Sequence, residues 1–299
     1  MSVVDEARRP PEPADTGRPA RARPARGSPA ARRRRARRLT YAAAVVLSAW
    51  VLIPIYLITV TAFTPRRVSY QFPKPLVPTE LSGETVSFFA RSAGVLPALG
   101  RSVMVAVVTL GLSTLLGAPA GYALARYRFR GKEAYRLLIL STRAFPVVIL
   151  SIPLAVNFIT WGIYDTVISV ALMHTALALP FTVLITSSIF VSVPRDLEEA
   201  AQTLGCTPAR AFVRVVLPLA LPGLAAASIF TFVLSWNEVF AAVILTLRNR
   251  TLPALVLSGL SRSPLPFRFA AAFFLLAPSL IVIFVIRRYL LGLWGRVSR

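Results

Sequence analysis

The chain has 299 residues, of which 56% are hydrophobic and only 15% charged, with a mean hydropathy of +0.65. That composition excludes an ordinary soluble domain and indicates an integral membrane protein. The net charge of +22 does not argue for a nucleic-acid partner, because twelve of the 34 basic residues precede Leu39 in a stretch with neither apolar periodicity nor interleaved aromatics.

Residues 1–38 are rich in Arg, Pro and Ala and read as a disordered tail. Their charge favours retention on the cytoplasmic side, in contact with anionic lipid. The apolar region then runs from 39 to 299. Its first run, residues 39–63, exceeds the roughly 20 residues needed to cross a bilayer. It is too long for the apolar core of a cleaved signal peptide, so a retained anchor is expected, with Pro54 as a possible kink. Residues 64–98 contain five prolines and charges of both signs, which predicts an external loop with one short helix near 84–93.

A second span is predicted at 99–125. Ser113, Gly117, Gly121 and Ala125 recur every four residues, a small-residue stripe that lets another helix approach closely. Residues 126–136 hold five basic residues and one acidic residue, the density expected of a cytoplasmic loop. A third span at 137–160 and a fourth at 166–191 are joined by the short turn 161–165, which has no Lys or Arg and is expected outside. Arg143 falls early in the third span and is expected to extend back to the interface.

Between two apolar runs lies a polar hook, PRDLEEAAQTLGCTPARAFVRVVLPLALPG, beginning at Pro194. Pro194 suits a helix start, and Asp196, Glu198 and Glu199 place negative charge at the positive end of the helix dipole. Leu197, Ala200, Ala201 and Leu204 form one narrow face. Gly205 stands where a C-terminal cap favours positive φ, and Thr207-Pro208 can open a second short helix with a stripe at Ala209, Phe212, Val213 and Val216. Charge alternation puts this hook, residues 194–214, in the cytoplasm. A fifth span at 219–247, an external loop at 248–268 and a sixth span at 269–290 complete the expectation: an all-α membrane protein of six spans with both termini inside. The four arginines of the 248–268 loop run against the positive-inside rule, and parity alone places it outside.

Polar residues within the spans are costly in lipid unless paired or wet, and so carry functional weight. Ser235-Trp236-Asn237-Glu238 lies in the fifth span. Asn237 and Glu238 stand as either pathway residues or hydrogen-bonding anchors, and Asn157 as a pathway or interhelix residue. His174, the one histidine, has no companion ligand and reads as a hydrogen-bonded helix residue. Cys206, the one cysteine, excludes an internal disulfide. No phosphate-cradling glycine loop, HExxH, GxSxG or Cys/His ligand set is present, so no catalytic residue, metal or cofactor is expected on this chain. A self-contained secondary transporter would commonly show two related halves, and no internal repeat is visible. Pro146, Pro153, Pro180 and Pro278 are nonetheless placed to interrupt spans.

Glu199-Ala200-Ala201, then Gly205, then Val215 and Leu217-Pro218 at these spacings resemble the EAA loop of ABC-importer permeases, specifically the maltose-transporter type. The SWNE segment and Arg250-Thr251-Leu252-Pro253 support the resemblance. Many family members carry an acidic residue where this chain has Leu204. The resemblance implies an ABC type I importer fold with cytoplasmic coupling helices, and an ATPase-coupling role for Glu199, Ala200, Ala201, Gly205, Phe212 and Pro218. It further implies a second permease subunit, two ATP-binding subunits or domains carrying ATP and Mg, and an extracytoplasmic solute-binding protein. Location in a prokaryotic plasma or inner membrane and a carbohydrate substrate follow from it, with a polyamine, metal chelate or other small solute as the alternative.

Overall fold

The computed structural model describes residues 29–71, 77–78, 80–260 and 263–297, and among these every regular element is helical. The tail reading for residues 1–28 lies outside the described residues. The chain divides into two units, Met1–Ile53 and Pro54–Arg299. The described part of the first unit is the leading portion of one helix, α1 (Pro29–Ala62), which therefore starts ten residues before the apolar run does. Its apolar side chains, including Val46, Trp50 and Val51, are exposed along the first unit, as suits a helix that faces lipid or another chain.

The second unit holds a short α2 (Arg66–Ser69), α3 (Glu84–Arg91) and α4 (Val95–Arg126). These are followed by α5 (Lys132–Ser141), α6 (Val147–Thr160) and α7 (Val167–Ser192). Then come α8 (Arg195–Thr203), α9 (Pro208–Ala211), α10 (Leu217–Asn237), α11 (Phe240–Leu245), α12 (Leu252–Leu260) and α13 (Leu265–Val297). Among the described residues five helices are long and apolar enough to cross a membrane, and a sixth crossing is obtained if α5 and α6 count together.

The small-residue stripe does what its spacing predicts. Ser113, Gly117, Gly121 and Ala125 are all buried on α4, and α7 lies against them. A Cβ added to Gly121 would sit 2.8 Å from the Ser187 nitrogen and 2.9 Å from the Val183 oxygen, so the two backbones are in near contact there. The Thr186 hydroxyl donates to the Gly117 carbonyl at 3.1 Å across this seam.

Three departures from the sequence expectation matter for function. The expected third span is two helices bent by 84°. Pro146 caps α6 and drives Phe145 to an extended φ/ψ of −76°/125°, the restriction proline imposes on its predecessor. Pro153, Pro180 and Pro278, by contrast, lie inside continuous helices. The expected fifth span is broken after Asn237, and the following loop contains α12. Finally, the second hook helix is not separate: α9 passes through a π-helical turn at Phe212–Val216 directly into α10.

Packing concentrates in three cores. Ala118, Tyr122, Phe190, Val216, Ala220 and Leu224 form one beside the hook. Val105, Phe158, Val170, Met173, Ala241 and Leu245 form a second where α4, α6, α7 and α11 meet. Phe89, Val95, Trp236, Leu252 and Ala270 belong to a third, where the Trp236 indole donates to the Leu275 carbonyl at 2.8 Å.

Candidate functional site: the polar hook and its anchor

The hook is built as a rigid corner. At the end of α8, Gly205 has φ +91°. Its N–H donates to the Gln202 carbonyl at 2.9 Å and the Cys206 N–H reaches back to Ala201 at 3.0 Å. This pair of bonds is the Schellman arrangement, which satisfies the last carbonyls of a helix. Thr207 then accepts from the Arg210 N–H at 3.4 Å, and Pro208 opens α9. Both caps read from the sequence are therefore formed.

What holds the corner to the bundle is Glu198. Its side chain and that of Arg126, at the end of α4, are 9% and 8% exposed, and Arg126 Nε donates to Glu198 Oε2 at 2.8 Å. The Tyr122 hydroxyl donates to the other carboxylate oxygen. Arg126 also donates to the Val193 carbonyl at 3.0 Å, and Arg195 returns the bond to the Arg126 carbonyl at 3.1 Å. A buried carboxylate with a cation and a hydroxyl on its two oxygens is satisfied, and removing either charge strands the other. The spacing of the hook picked out Glu199. Glu198 is its immediate neighbour on the chain, and no local pattern separates a carboxylate turned inward from one turned out.

The remaining hook residues divide by exposure. Glu199, Ala200 and Gly205 are exposed and Ala201 is half-buried. Leu197 is 46% and Leu204 88% exposed, so the apolar face of α8 is not covered by its own chain. Phe212 instead points inward, its ring 4.5 Å from Tyr122 and 5.7 Å from Phe190. Pro218 is exposed in the first turn of α10.

The polar residues of the spans fall elsewhere. His174 is buried on α7 and bonds Ser235 at 2.9 Å and Glu238 at 3.1 Å. Glu238 also accepts from the N–H groups of Ala241 and Ala242 at 3.0 and 3.2 Å. It thus caps α11 just after the break in the helix, and Ser235 extends the network to Thr109. Asn237 is exposed and bonds the Val233 carbonyl at 3.0 Å. Asn157 lines a separate cleft between α6 and α7. Among the described residues no group of His, Cys, Asp or Glu side chains is arranged to hold a metal ion.

At the other end of α7 from the hook, Asp165 grips the 247–249 backbone. It has φ +59°. Its carboxylate accepts from the N–H groups of Leu247 at 2.8 Å, Asn249 at 3.0 Å and Arg248 at 3.2 Å. Burial opposes ionisation of Asp165, but these backbone donors, with the charge of Arg101, outweigh it and lower its pKa. Because the folded value lies below the unfolded one, the carboxylate stabilises this turn above a pH of about 4 and loses that contribution as pH falls through the folded value. Asp165→Asn at neutral pH should reproduce the acid effect, since asparagine tolerates the same φ. Hydrogen exchange should then rise at Leu247, Arg248 and Asn249 while the α4–α7 seam stays protected. Equal exchange in both proteins would remove the latch.

Comparison with known proteins agrees with this architecture. Residues 113–292 match the family of binding-protein-dependent transport system inner membrane components. The chain is 34% identical over 203 residues to the trehalose transport system permease protein SugB of Mycobacterium tuberculosis (strain CDC 1551 / Oshkosh), covering 66% of this chain and 74% of that protein. It is 29% identical over 212 residues to the diacetylchitobiose uptake system permease protein DasC of Streptomyces coelicolor (strain ATCC BAA-471 / A3(2) / M145), covering 70% and 77%. Among solved structures, a bacterial ABC transporter involved in the import of the acidic polysaccharide alginate superposes with a TM-score of 0.68 at 20% identity, over 85% of this chain and 96% of that one. The match over most of the helical bundle, hook included, establishes that the chain belongs to the binding-protein-dependent transport system inner membrane component family, the multi-pass permeases of ABC importers.

Proposed function

We propose that this chain forms half of the translocation path of an ATP-driven carbohydrate importer, and that a separate ATP-hydrolysing subunit moves it through the hook. The observation that carries the reading is the pairing of two properties in α8. Its inner side is tied to the bundle by the Arg126–Glu198 pair, while Leu197 and Leu204 on its apolar face remain open. Such a helix transmits force, because a push on the open face reaches α4 through the ion pair and α10 through the π-turn, with both caps resisting local unwinding. Two packed states of the bundle, exchanged by that push, give alternating access.

The carbohydrate assignment is supported by the relatives, whose names specify trehalose and diacetylchitobiose. A second permease, two ATP-binding subunits carrying ATP and Mg, and an extracytoplasmic solute-binding protein complete the assembly. One solved neighbour is an alginate transporter in complex with its pentasaccharide-bound periplasmic protein, which supports the last of these. Both termini lie in the cytoplasm in this arrangement, with the Arg-rich N-terminal stretch near anionic lipid. Binding measurements on the cognate receptor test the solute directly: tight, saturable binding of a polyamine or metal chelate, with no sugar bound, would replace the carbohydrate reading.

The coupling role is tested by Gly205→Val. A Cβ at Gly205 meets nothing within 4 Å, yet φ is +91°, so valine strains the cap without a clash. Loss of sugar uptake with ATP hydrolysis retained is expected of reconstituted complexes. A variant that assembles and transports normally would show that the cap is not part of the coupling path. In a Cys206→Ser background, a crosslinker at Ala200→Cys should reach the ATP-binding subunit. Its failure to do so in an active complex would move the docking site off the hook.

A further inference from the structure

Arg143, expected near the start of the third span, contacts the middle of α7. It sits in the break between α5 and α6, where its Nη1 donates to the Leu177 carbonyl at 2.8 Å and its guanidinium lies over the Phe181 ring, 4.8 Å from the centroid. Leu177 lies about 15 Å from the Val167 end of α7 and about 22 Å from the Ser192 end at 1.5 Å per residue. The cation is therefore held near the middle of the membrane-spanning helix. Pro180 has no N–H to offer the Ala176 carbonyl, and the Arg143 bond falls on the adjacent Leu177 carbonyl.

Arg143 and Asn157 are both exposed on the surface of this chain, and a cation at this level of a spanning helix is expensive against lipid and calls for a wet or polar surrounding. Among the described residues the ion pairs join Arg67 to Glu80, Arg126 to Glu198, Arg136 to Glu133 and His174 to Glu238, and none reaches Arg143. What surrounds it is a cleft of about 460 Å³, with Asn157 on α6 in the same lining and Leu150, Pro153, Leu154 and Met173 as an apolar wall. That volume lies within the range of small-molecule sites, which combine mostly apolar walls with a few placed polar groups. The guanidinium fork has donors beyond the one given to Leu177, and the Asn157 amide can both donate and accept.

We propose that this cleft between α6 and α7 is a solute-contact site on the permeation path, in which Arg143 and Asn157 bind the oxygens of a carbohydrate and the apolar wall takes its C–H face. The proposal rests on the carbohydrate-permease reading and adds to it the place of contact and the recognising groups. The shared chemistry is a pair of adjacent oxygen acceptors, supplied by a vicinal diol or a sugar carboxylate.

The test uses the complete reconstituted complex with its receptor, and trehalose and diacetylchitobiose as probes. In a Cys206→Ser background, Asn157→Cys should react with a membrane-impermeant methanethiosulfonate, and a sugar under transport should slow that reaction about tenfold. Arg143→Met should raise the KM for uptake about tenfold or more, the scale of a charged hydrogen bond, with solute binding by the separate receptor unchanged. Arg143→Lys should recover part of the loss. A cysteine at 157 that stays unreactive in every nucleotide state overturns the site whatever the solute, as does one that reacts equally with and without an imported sugar. If Arg143→Met fails to assemble, the cysteine measurement still decides. Reactivity of the Asn157→Cys complex, where the wild-type complex imports neither probe, would count against the carbohydrate reading and leave the wet cleft standing.

Discussion

Glu198→Ala should lower the stability of the folded permease by about 3–5 kcal/mol, the range found when one member of a buried ion pair is removed. Arg126 would be left charged at 8% side-chain exposure, the Tyr122 hydroxyl would lose its acceptor, and α8 would be tethered to α4 chiefly by Arg195. ATP hydrolysis should then run with little uptake, because the lever no longer moves what it is attached to. Glu199→Ala makes the control. Its carboxylate is exposed, so stability should change by no more than about 0.5 kcal/mol, and any effect should appear in docking. A paired Arg126→Met, Glu198→Leu change should restore much of the stability, since well-packed apolar replacements of buried pairs are often neutral or better. Thermal unfolding in detergent, read beside coupled uptake, separates these outcomes. Indistinguishable Glu198→Ala and Glu199→Ala proteins would remove the anchor.

The second large effect is expected at the α4–α7 seam. A methyl group added at Gly121 would fall 2.1 Å from Thr186 Oγ1 and under 3 Å from two backbone atoms of α7. Side-chain movement can relieve the first contact but not the other two, so the helices must separate. Gly121→Val should cost about 3 kcal/mol or more, the upper end for overpacking, and should be seen as loss of assembled complex in gel filtration. Gly117→Ala meets the Thr182 methyl at 2.7 Å, a side-chain atom with some room to turn, and should be milder. Gly111→Ala meets nothing within 4 Å and should be neutral or slightly stabilising, because alanine is the better helix former by about 1 kcal/mol. Equal behaviour at positions 111 and 121 would mean that the close approach is not what holds α4 to α7.

The order of effects explains which parts of the molecule were legible in one dimension. Helix ends, caps and small-residue stripes are local: Gly205, Thr207-Pro208 and the 113–125 stripe each declare themselves through neighbours within four residues. The break at Phe145–Pro146 was written in the same local code, since proline restricts the residue before it. It was obscured because Pro153, Pro180 and Pro278 carry the same signal inside helices that continue.

Composition and periodicity alone therefore determined that this chain is a helical membrane protein with a polar hook between apolar segments, because transfer free energy and helical geometry act on adjacent residues. Only the tertiary structure decided that Glu198 and not Glu199 turns inward, that Glu238 pairs with His174, and that Arg143 bonds the middle of α7. Those outcomes depend on partners 72, 64 and 34 residues away in sequence. Electrostatic pairing and backbone satisfaction act through space, so identical side chains on one hook acquire opposite roles according to what the packed helices bring within 3 Å.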